Sequence, residues 1–305
     1  MHWIILCIFS ATCYSICAFI DNYNTDVLFK GKKPQAIKAI NGYLYLIIAT
    51  IIAVLFGIKS TPLPIILIAL LSGLIASLAS VPYYLALRSE EATTGAIFYQ
   101  LIPVFCVFAD IFLLGKPLTL HQALGFAIIM SAPFIIILSR RRKKAQKLEI
   151  LAALFFLAYA FLISISNVIY AKIELQRPDT MTIFFWFTLG RALFDISTST
   201  FMPSWRKRIK QVQKTHPLKI IIMASLTLGI SCMADFVLRF AFNETNTSLA
   251  TVISNTSELI ITFVLGIILT LIWPSFGREK LNRHIIISHL IATIVVVVGI
   301  IITQS

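Results

Sequence analysis

Apolar residues run through the chain in ten long blocks, with charged residues, proline or glycine between them. Most blocks come close to the roughly 20 residues that an α-helix needs to cross a bilayer. A transmembrane β-barrel would need alternating apolar and polar positions, and a run such as 65–71 (IILIALL) does not alternate. Because lipid offers no hydrogen-bond partners to an open backbone, the pattern predicts ten membrane-spanning helices. The blocks are 3–20, 40–58, 62–87, 94–114, 119–138, 150–170, 181–202, 218–241, 248–273 and 285–303.

The first block is predicted to be a retained span rather than a cleaved signal peptide. Met1 and His2 supply no basic segment before it, and its apolar run is of full length. Four lysines follow this block: Lys30, Lys32, Lys33 and Lys38.

The composition agrees with a membrane protein. Of 305 residues, 58% are hydrophobic and 13% charged, with a mean hydropathy of +0.90, whereas soluble domains carry about a quarter charged residues. A disordered chain, a secreted disulfide scaffold and a nucleic-acid-binding domain are excluded. The five cysteines lie inside apolar blocks and are predicted to be small buried side chains. We expect neither a metal site nor a cofactor.

The net charge is +13, and the basic residues behind it are concentrated in particular links between the spans. Links that follow odd-numbered spans hold 20 Lys and Arg residues, and links that follow even-numbered spans hold four. Positively charged links stay in the cytoplasm, so the bias predicts that both termini face outward. The same distribution makes the bilayer, rather than nucleic acid, the partner of the basic residues.

The two halves of the chain resemble each other. Residues 86–105 align with residues 241–260 without a gap, at an offset of 155, and 15–20 (SICAFI) parallels 164–169 (SISNVI). Each half holds an odd number of spans, so tandem copies would have opposite orientations in the membrane, a common construction of secondary transporters. The predicted organisation is a first five-span repeat (1–139), a basic linker (140–149) and a second five-span repeat (150–305).

Several motifs resemble those of EamA-type members of the drug/metabolite transporter superfamily. The stretches 83–92 (YYLALRSEEA) and 99–105 (YQLIPVF) are similar to the signature of its third and fourth spans. The link 113–119 (LLGKPLT) is similar to the following Leu-Gly-Glu link, with Lys116 where Glu is usual. One subgroup of the family shows similar sequences to 20–23 (IDNY), 269–274 (LTLIWP) and 278–281 (REKL). The resemblance implies a ten-span transporter fold and leaves the solute open.

Ionisable residues inside spans are costly and are therefore candidates for function. Arg191 with Asp195, and Asp235 with Arg239, have i, i+4 spacing and could instead form structural ion pairs within one helix. Glu258 has no such partner and lies near the middle of the ninth span, which makes it a candidate for proton or cation coupling; the alternative is an ion pair with Arg191 or Arg239. Asp110 is a weaker candidate, near the end of its span.

Polar and aromatic residues of the spans supply candidate contacts to a solute. Gln100 and Asn255 occupy equivalent repeat positions, and their amides could bind a solute from two sides or join helices. The predicted solute-binding residues are Tyr83, Tyr84, Tyr99, Gln100, Asn167, Trp186 and Asn255.

The sequence predicts a secondary transporter in a bacterial inner membrane. Two repeats tilting around a central cavity would move a small metabolite by alternating access, with protons or another ion for coupling. A flippase for a lipid-linked intermediate is the nearer alternative, since basic links suit phosphate headgroups. An integral membrane enzyme would need clustered carboxylates or histidines at an aqueous face, and no such motif is present. Import or export, and monomer or dimer, stay open.

Overall fold

The structure is a computed structural model, and it describes residues 2–24, 35–87, 92–114, 119–139, 146–174, 179–201, 217–244, 247–273 and 283–304. Its helices, numbered in chain order, are α1 (His2–Tyr23), α2 (Gln35–Phe56), α3 (Leu63–Ala86), α4 (Ala92–Tyr99), α5 (Leu101–Leu114), α6 (Leu120–Ser139), α7 (Gln146–Glu174), α8 (Thr180–Phe201), α9 (Pro217–Glu244), α10 (Thr247–Ile272) and α11 (Arg283–Gln304).

Every predicted apolar block contains a helix, and no strand occurs among the described residues. Six of the described helical stretches are long and apolar enough to cross a membrane. The all-helical, multi-pass membrane class is therefore confirmed.

Small polar residues are buried among the helices, and large apolar residues cover the outside of the bundle. Ser10, Ser15 and Ser72 are fully buried, whereas Val54 is 77% and Leu55 69% exposed. A soluble protein of this size would not leave so many large apolar side chains on its surface. In a bilayer this arrangement is stable, because acyl chains cover the outer residues while the serines bond between helices.

Small residues allow close helix packing at the centre. Ser72 on α3 and Ser166 on α7 each donate to the main-chain carbonyl of the other, at 2.9 Å in both directions. Gly73 on α3 and Gly190 on α8 lie where an added Cβ would collide with main-chain atoms of the opposite helix. These contacts bring α3 into direct backbone contact with α8.

The fourth predicted span, 94–114, is broken at Gln100, which separates α4 from α5. Pro103 has no N–H, so it cannot bond the carbonyl of Tyr99 four residues earlier. The side chain of Asn255 on α10 donates to that carbonyl instead, with Nδ2 at 2.8 Å from the oxygen. An uninterrupted helix was predicted here, and the break follows from this proline.

At one end of the bundle, α8 begins with a capped turn. The Asp179 carboxylate accepts the backbone N–H of Thr182 at 3.2 Å, as a helix N-cap does. The ammonium of Lys59, in the link between α2 and α3, lies 2.6 Å from the same carboxylate. Partial burial acts to raise the pKa of Asp179, but its hydrogen bonds with Lys59 and Thr182 outweigh this effect and lower it.

Candidate solute-binding cavity

A cavity of about 140 Å³ lies among the helices, with lining residues from every described helix except α6 and α11. A cavity of comparable size in another protein holds a single benzene ring. The space therefore suits a small solute. Its wall contains charged, amide and phenolic groups as well as apolar ones.

Ten of the twelve predicted site residues line this cavity. They are Tyr83, Tyr84, Tyr99, Asn167, Arg191, Asp195, Asp235, Arg239, Asn255 and Glu258.

Gln100 and Trp186 lie outside the lining. The Gln100 amide donates to the carbonyls of Ala96 at 3.2 Å and Asn255 at 2.6 Å, which gives it the role of joining helices. Trp186 packs edge-on against Phe185, with ring centroids 4.9 Å apart. The Asn255 side chain lines the cavity while its Nδ2 bonds the carbonyl of Tyr99.

The buried ion pairs form between helices and not within them. Arg191 on α8 pairs with Asp235 on α9, and Asp195 on α8 pairs with Lys38 on α2 at 2.8 Å. The alternative of two i, i+4 pairs inside α8 and α9 is therefore wrong. Arg191, Asp195 and Asp235 instead pair with charged groups on neighbouring helices.

Lys38 is a central residue that the sequence pattern placed in a link. The helix α2 begins at Gln35, so Lys38 lies in its second turn, with a side chain only 2% exposed. Its ammonium donates to the Ser77 carbonyl and the Ser80 hydroxyl on α3 in addition to pairing with Asp195. Lys38 follows Lys33 by five residues and precedes the second predicted block by two, so the sequence pattern grouped it with the link lysines. The charge bias of the links is smaller by this one residue.

The second pair, Arg191 with Asp235, is held by aromatic residues. The Tyr14 hydroxyl donates to the Asp235 carboxylate at 2.5 Å. The Tyr45 ring lies 4.3 Å from the Arg191 guanidinium carbon. Tyr14 and Tyr45 were not among the predicted residues, because a tyrosine in an apolar block carries no signal of its orientation.

Glu258 and Asp21 are buried carboxyl groups of a different kind. Within the described part of the chain, no cation lies at ion-pair distance from either of them, so the alternative pairing of Glu258 with Arg191 or Arg239 is not found. Asp21 accepts a hydrogen bond from the Tyr83 hydroxyl at 3.1 Å. Both groups line the cavity. Asp21 was not predicted because it lies just beyond the first apolar block.

Three tyrosines form one wall. The ring of Tyr83 lies 6.2 Å from that of Tyr99 and 5.3 Å from that of Tyr159, and the last two are 5.1 Å apart. Tyr159, on α7, was not predicted. The hydroxyl of Tyr99 is buried with no hydrogen-bond partner among the described residues.

Other sequence-based candidates lie elsewhere. The side chain of Asp110 is outside the described residues. The five cysteines are all buried. No group of three His, Cys, Asp or Glu side chains suited to a metal ion occurs in the part of the chain that the structure describes.

Residues 1–138 match the sequence profile of the EamA-like transporter family. The first half of the chain is thus similar to this family. The motifs at 20–23, 83–92, 99–105 and 113–119 fall inside the match, and the resemblance drawn from them is confirmed. This similarity and the helical membrane fold support a membrane transporter in general.

A solved structure, "Crystal structure of protein", aligns with 96% of this chain and with 96% of its own length, at a TM-score of 0.58 and 16% identity. It is one of 28 solved chains with a significant match. At this identity the likeness concerns the fold alone, but it extends through both halves. No curated protein matches the chain in sequence.

Proposed function

We propose that this protein is a secondary active transporter that moves a small metabolite across a bacterial plasma membrane by alternating access. The observation that carries the proposal is the cavity between the helices, whose wall holds the Glu258 carboxyl without a cation at ion-pair distance among the described residues. The proposed architecture is ten spans, with α4 and α5 forming one span, arranged as two inverted five-helix repeats with both termini outside.

Equivalent hydrogen bonds support the repeats. In the alignment of 15–20 with 164–169, Cys17 is equivalent to Ser166. At the offset of 155, Ser72 is equivalent to Thr227. The Cys17 thiol donates to the Thr227 carbonyl at 3.4 Å. The Ser166 hydroxyl donates to the Ser72 carbonyl at 2.9 Å. The same contact thus occurs twice, each time between the two halves, with the donor in the first half in one case and in the second half in the other.

The packing of the helices also supports the two proposed repeats. The helix α3 packs on α7, and its equivalent α9 packs on α1. Likewise α5 packs on α7, and α10 packs on α1. Three further contacts, α2 with α8, α4 with α10 and α6 with α11, join equivalent helices to each other. A two-fold axis in the membrane plane would generate this pattern.

Glu258 is the proposed coupling residue. Its side chain is 6% exposed and lies in the wall of the cavity. A buried carboxylate without a cation beside it is energetically unfavourable, so a bound proton or cation would neutralise the charge of Glu258. Release of that proton on one side of the membrane would then couple solute movement to the proton gradient.

The test uses the purified protein in proteoliposomes, screened with labelled amino acids, sugars, nucleosides and organic acids. We expect net transport of at least one solute to respond to an imposed pH gradient. Glu258→Gln should abolish that response while exchange of solute between the two sides continues.

Glu244→Gln is the matched control, because Glu244 is exposed at the end of α9. Its transport should follow the pH gradient as in the unchanged protein. An unaltered pH response in Glu258→Gln would remove the coupling role, and absence of transport for every solute class would contradict the proposed function itself.

A further inference from the structure

The charges around the cavity do not cancel in pairs. Lys38 pairs with Asp195, and Arg191 pairs with Asp235. Among the described groups of the cavity wall, Arg239 is then the cation without a carboxylate at ion-pair distance. Asp21 and Glu258 are the corresponding carboxyl groups. A carboxyl can be neutralised by a proton, whereas a guanidinium keeps its charge throughout the physiological pH range.

The aromatic rings around Arg239 attract its positive charge but do not accept hydrogen bonds from its N–H groups. The residue is 2% exposed, and the rings of Tyr170 and Phe187 lie 4.0 and 3.9 Å from its guanidinium carbon. An aromatic ring attracts a cation through its quadrupole but supplies no oxygen acceptor.

Hydrogen bonding of Arg239 is correspondingly weak. The contact to a described side-chain oxygen is from Nη2 to Asn167 Oδ1, at 3.5 Å. Nε and Nη1 have no acceptor among the described residues. A guanidinium has five N–H donors arranged to hold a planar anion, so an anionic partner would complete this site.

We propose that Arg239, with the amide of Asn167 beside it, binds the anionic group of the transported solute, and that the solutes are small organic carboxylates. This inference rests on the proposed transport function. One unpaired cation matches the single charge of a carboxylate, whereas a phosphate ester carries about −1.5 to −2. The cavity of about 140 Å³ limits the solute to a small one.

The test measures binding to the full chain in detergent, without transport. The probes are two carboxylates and their neutral amides, propionate with propionamide and benzoate with benzamide. Carboxylates should raise the unfolding temperature in a concentration-dependent way, and the amides should not. Arg239→Gln should weaken carboxylate binding about 10- to 100-fold, as expected for loss of a hydrogen bond to a charged group. Arg239→Lys should retain part of it.

Lys59→Gln is the control, because it removes a cation whose side chain is 72% exposed and which is not part of the cavity lining. Equal stabilisation by carboxylates and amides, no stabilisation by either carboxylate, or an undiminished carboxylate effect in Arg239→Gln would overturn the inference. If Arg239→Gln does not fold, the comparison of carboxylates with amides on the unchanged protein and on Arg239→Lys still tests the inference.

The two proposals fail separately. Selective carboxylate binding without transport in proteoliposomes would refute the transport function and leave the anion site standing. Transport of neutral solutes that is equal in the unchanged protein and Arg239→Gln would refute the anion site and leave the transport function standing.

Discussion

Gln100 and Asn255 occupy equivalent positions in the two halves, and their side-chain amides are joined by reciprocal hydrogen bonds to the main chain. Gln100 donates to the carbonyl of Asn255, and Asn255 donates to the carbonyl of Tyr99, the residue before Gln100. Gln100 Nε2 lies 2.6 Å from the carbonyl of Asn255, and Asn255 Nδ2 lies 2.8 Å from the carbonyl of Tyr99. The second bond serves a carbonyl that Pro103 leaves without its helical partner. The interruption of the fourth span is thus joined to α10 by two amide side chains.

This relationship predicts a coupling between Asn255 and Pro103. Asn255→Leu removes the donor to a buried carbonyl and should destabilise the protein by about 1–3 kcal/mol. In a Pro103→Ala background the new N–H at position 103 can bond Tyr99, so the same substitution should cost clearly less. Thermal unfolding in detergent of the two single variants and the double variant measures the difference. Strictly additive effects would show that the proline is not the reason for the amide.

Gly73 and Gly190 test the contact between α3 and α8. An added methyl group at either position would meet a main-chain carbonyl of the other helix, which cannot move away cheaply. Gly73→Ala and Gly190→Ala should each destabilise by about 1–3 kcal/mol or more. Gly229→Ala is the control, because nothing lies within 4 Å of its added Cβ. It should be neutral or stabilising by up to about 1 kcal/mol, and a similar loss in all three variants would contradict the packing.

The buried pair of Lys38 and Asp195 should behave as a unit. Lys38→Met or Asp195→Leu alone leaves a charge buried without its partner and should cost about 3–5 kcal/mol. The double variant should cost much less than the sum of the two. A double-mutant cycle by thermal unfolding gives the coupling free energy. A value near zero would mean that the two groups are solvated independently.

Asp179 should stabilise the start of α8 in a pH-dependent way. Asp179→Ala removes the cap and should cost about 1 kcal/mol, whereas Asp179→Ser keeps a capping oxygen and should cost less. Because the folded-state pKa of Asp179 is lowered, its contribution is present above the ordinary value near 4 and is lost as the pH falls through the folded-state value. Unfolding of Asp179→Asn and the unchanged protein at several pH values should therefore converge in acid. Convergence at neutral pH would exclude the charge effect.

Topology can be tested with cysteines, since all five natural ones are buried. An impermeant thiol reagent added to intact cells should label Ser60→Cys in the link after α2, and should not label Lys207→Cys. The unchanged protein gives the background. The opposite labelling pattern would reverse the orientation inferred from the charges.

Sequence pattern was sufficient for the helices because the bilayer sets their length. Nine of the ten predicted blocks contain one described helix each, and the block that departs holds Pro103. The pattern also identified five of the six charged residues that line the cavity, since an ionisable residue deep in an apolar block needs a polar surrounding. Arg239, Asp235 and Glu258 were found in this way.

The partners of those charges were not predictable, because spacing along one helix says nothing of the neighbouring helix. The i, i+4 pattern of Arg191 and Asp195 suggested a pair, yet Asp195 reaches Lys38. Lys38 and Asp21 lie at block ends, where a charge ordinarily faces headgroups. Trp186 does not line the cavity, and a single aromatic residue does not show in the sequence which side of its helix faces the cavity.

The ammonium of Lys38 on α2 contacts both α3 and α8. The close packing at Gly73 and Gly190 holds α3 against α8 as well. Two of these three helices come from the first half of the chain and one from the second. In the proposed alternating access, α2, α3 and α8 would therefore move together as one rigid unit. The boundary of that motion would not coincide with the boundary between the two halves of the chain, and the hinges would lie between these three helices and the remaining ones.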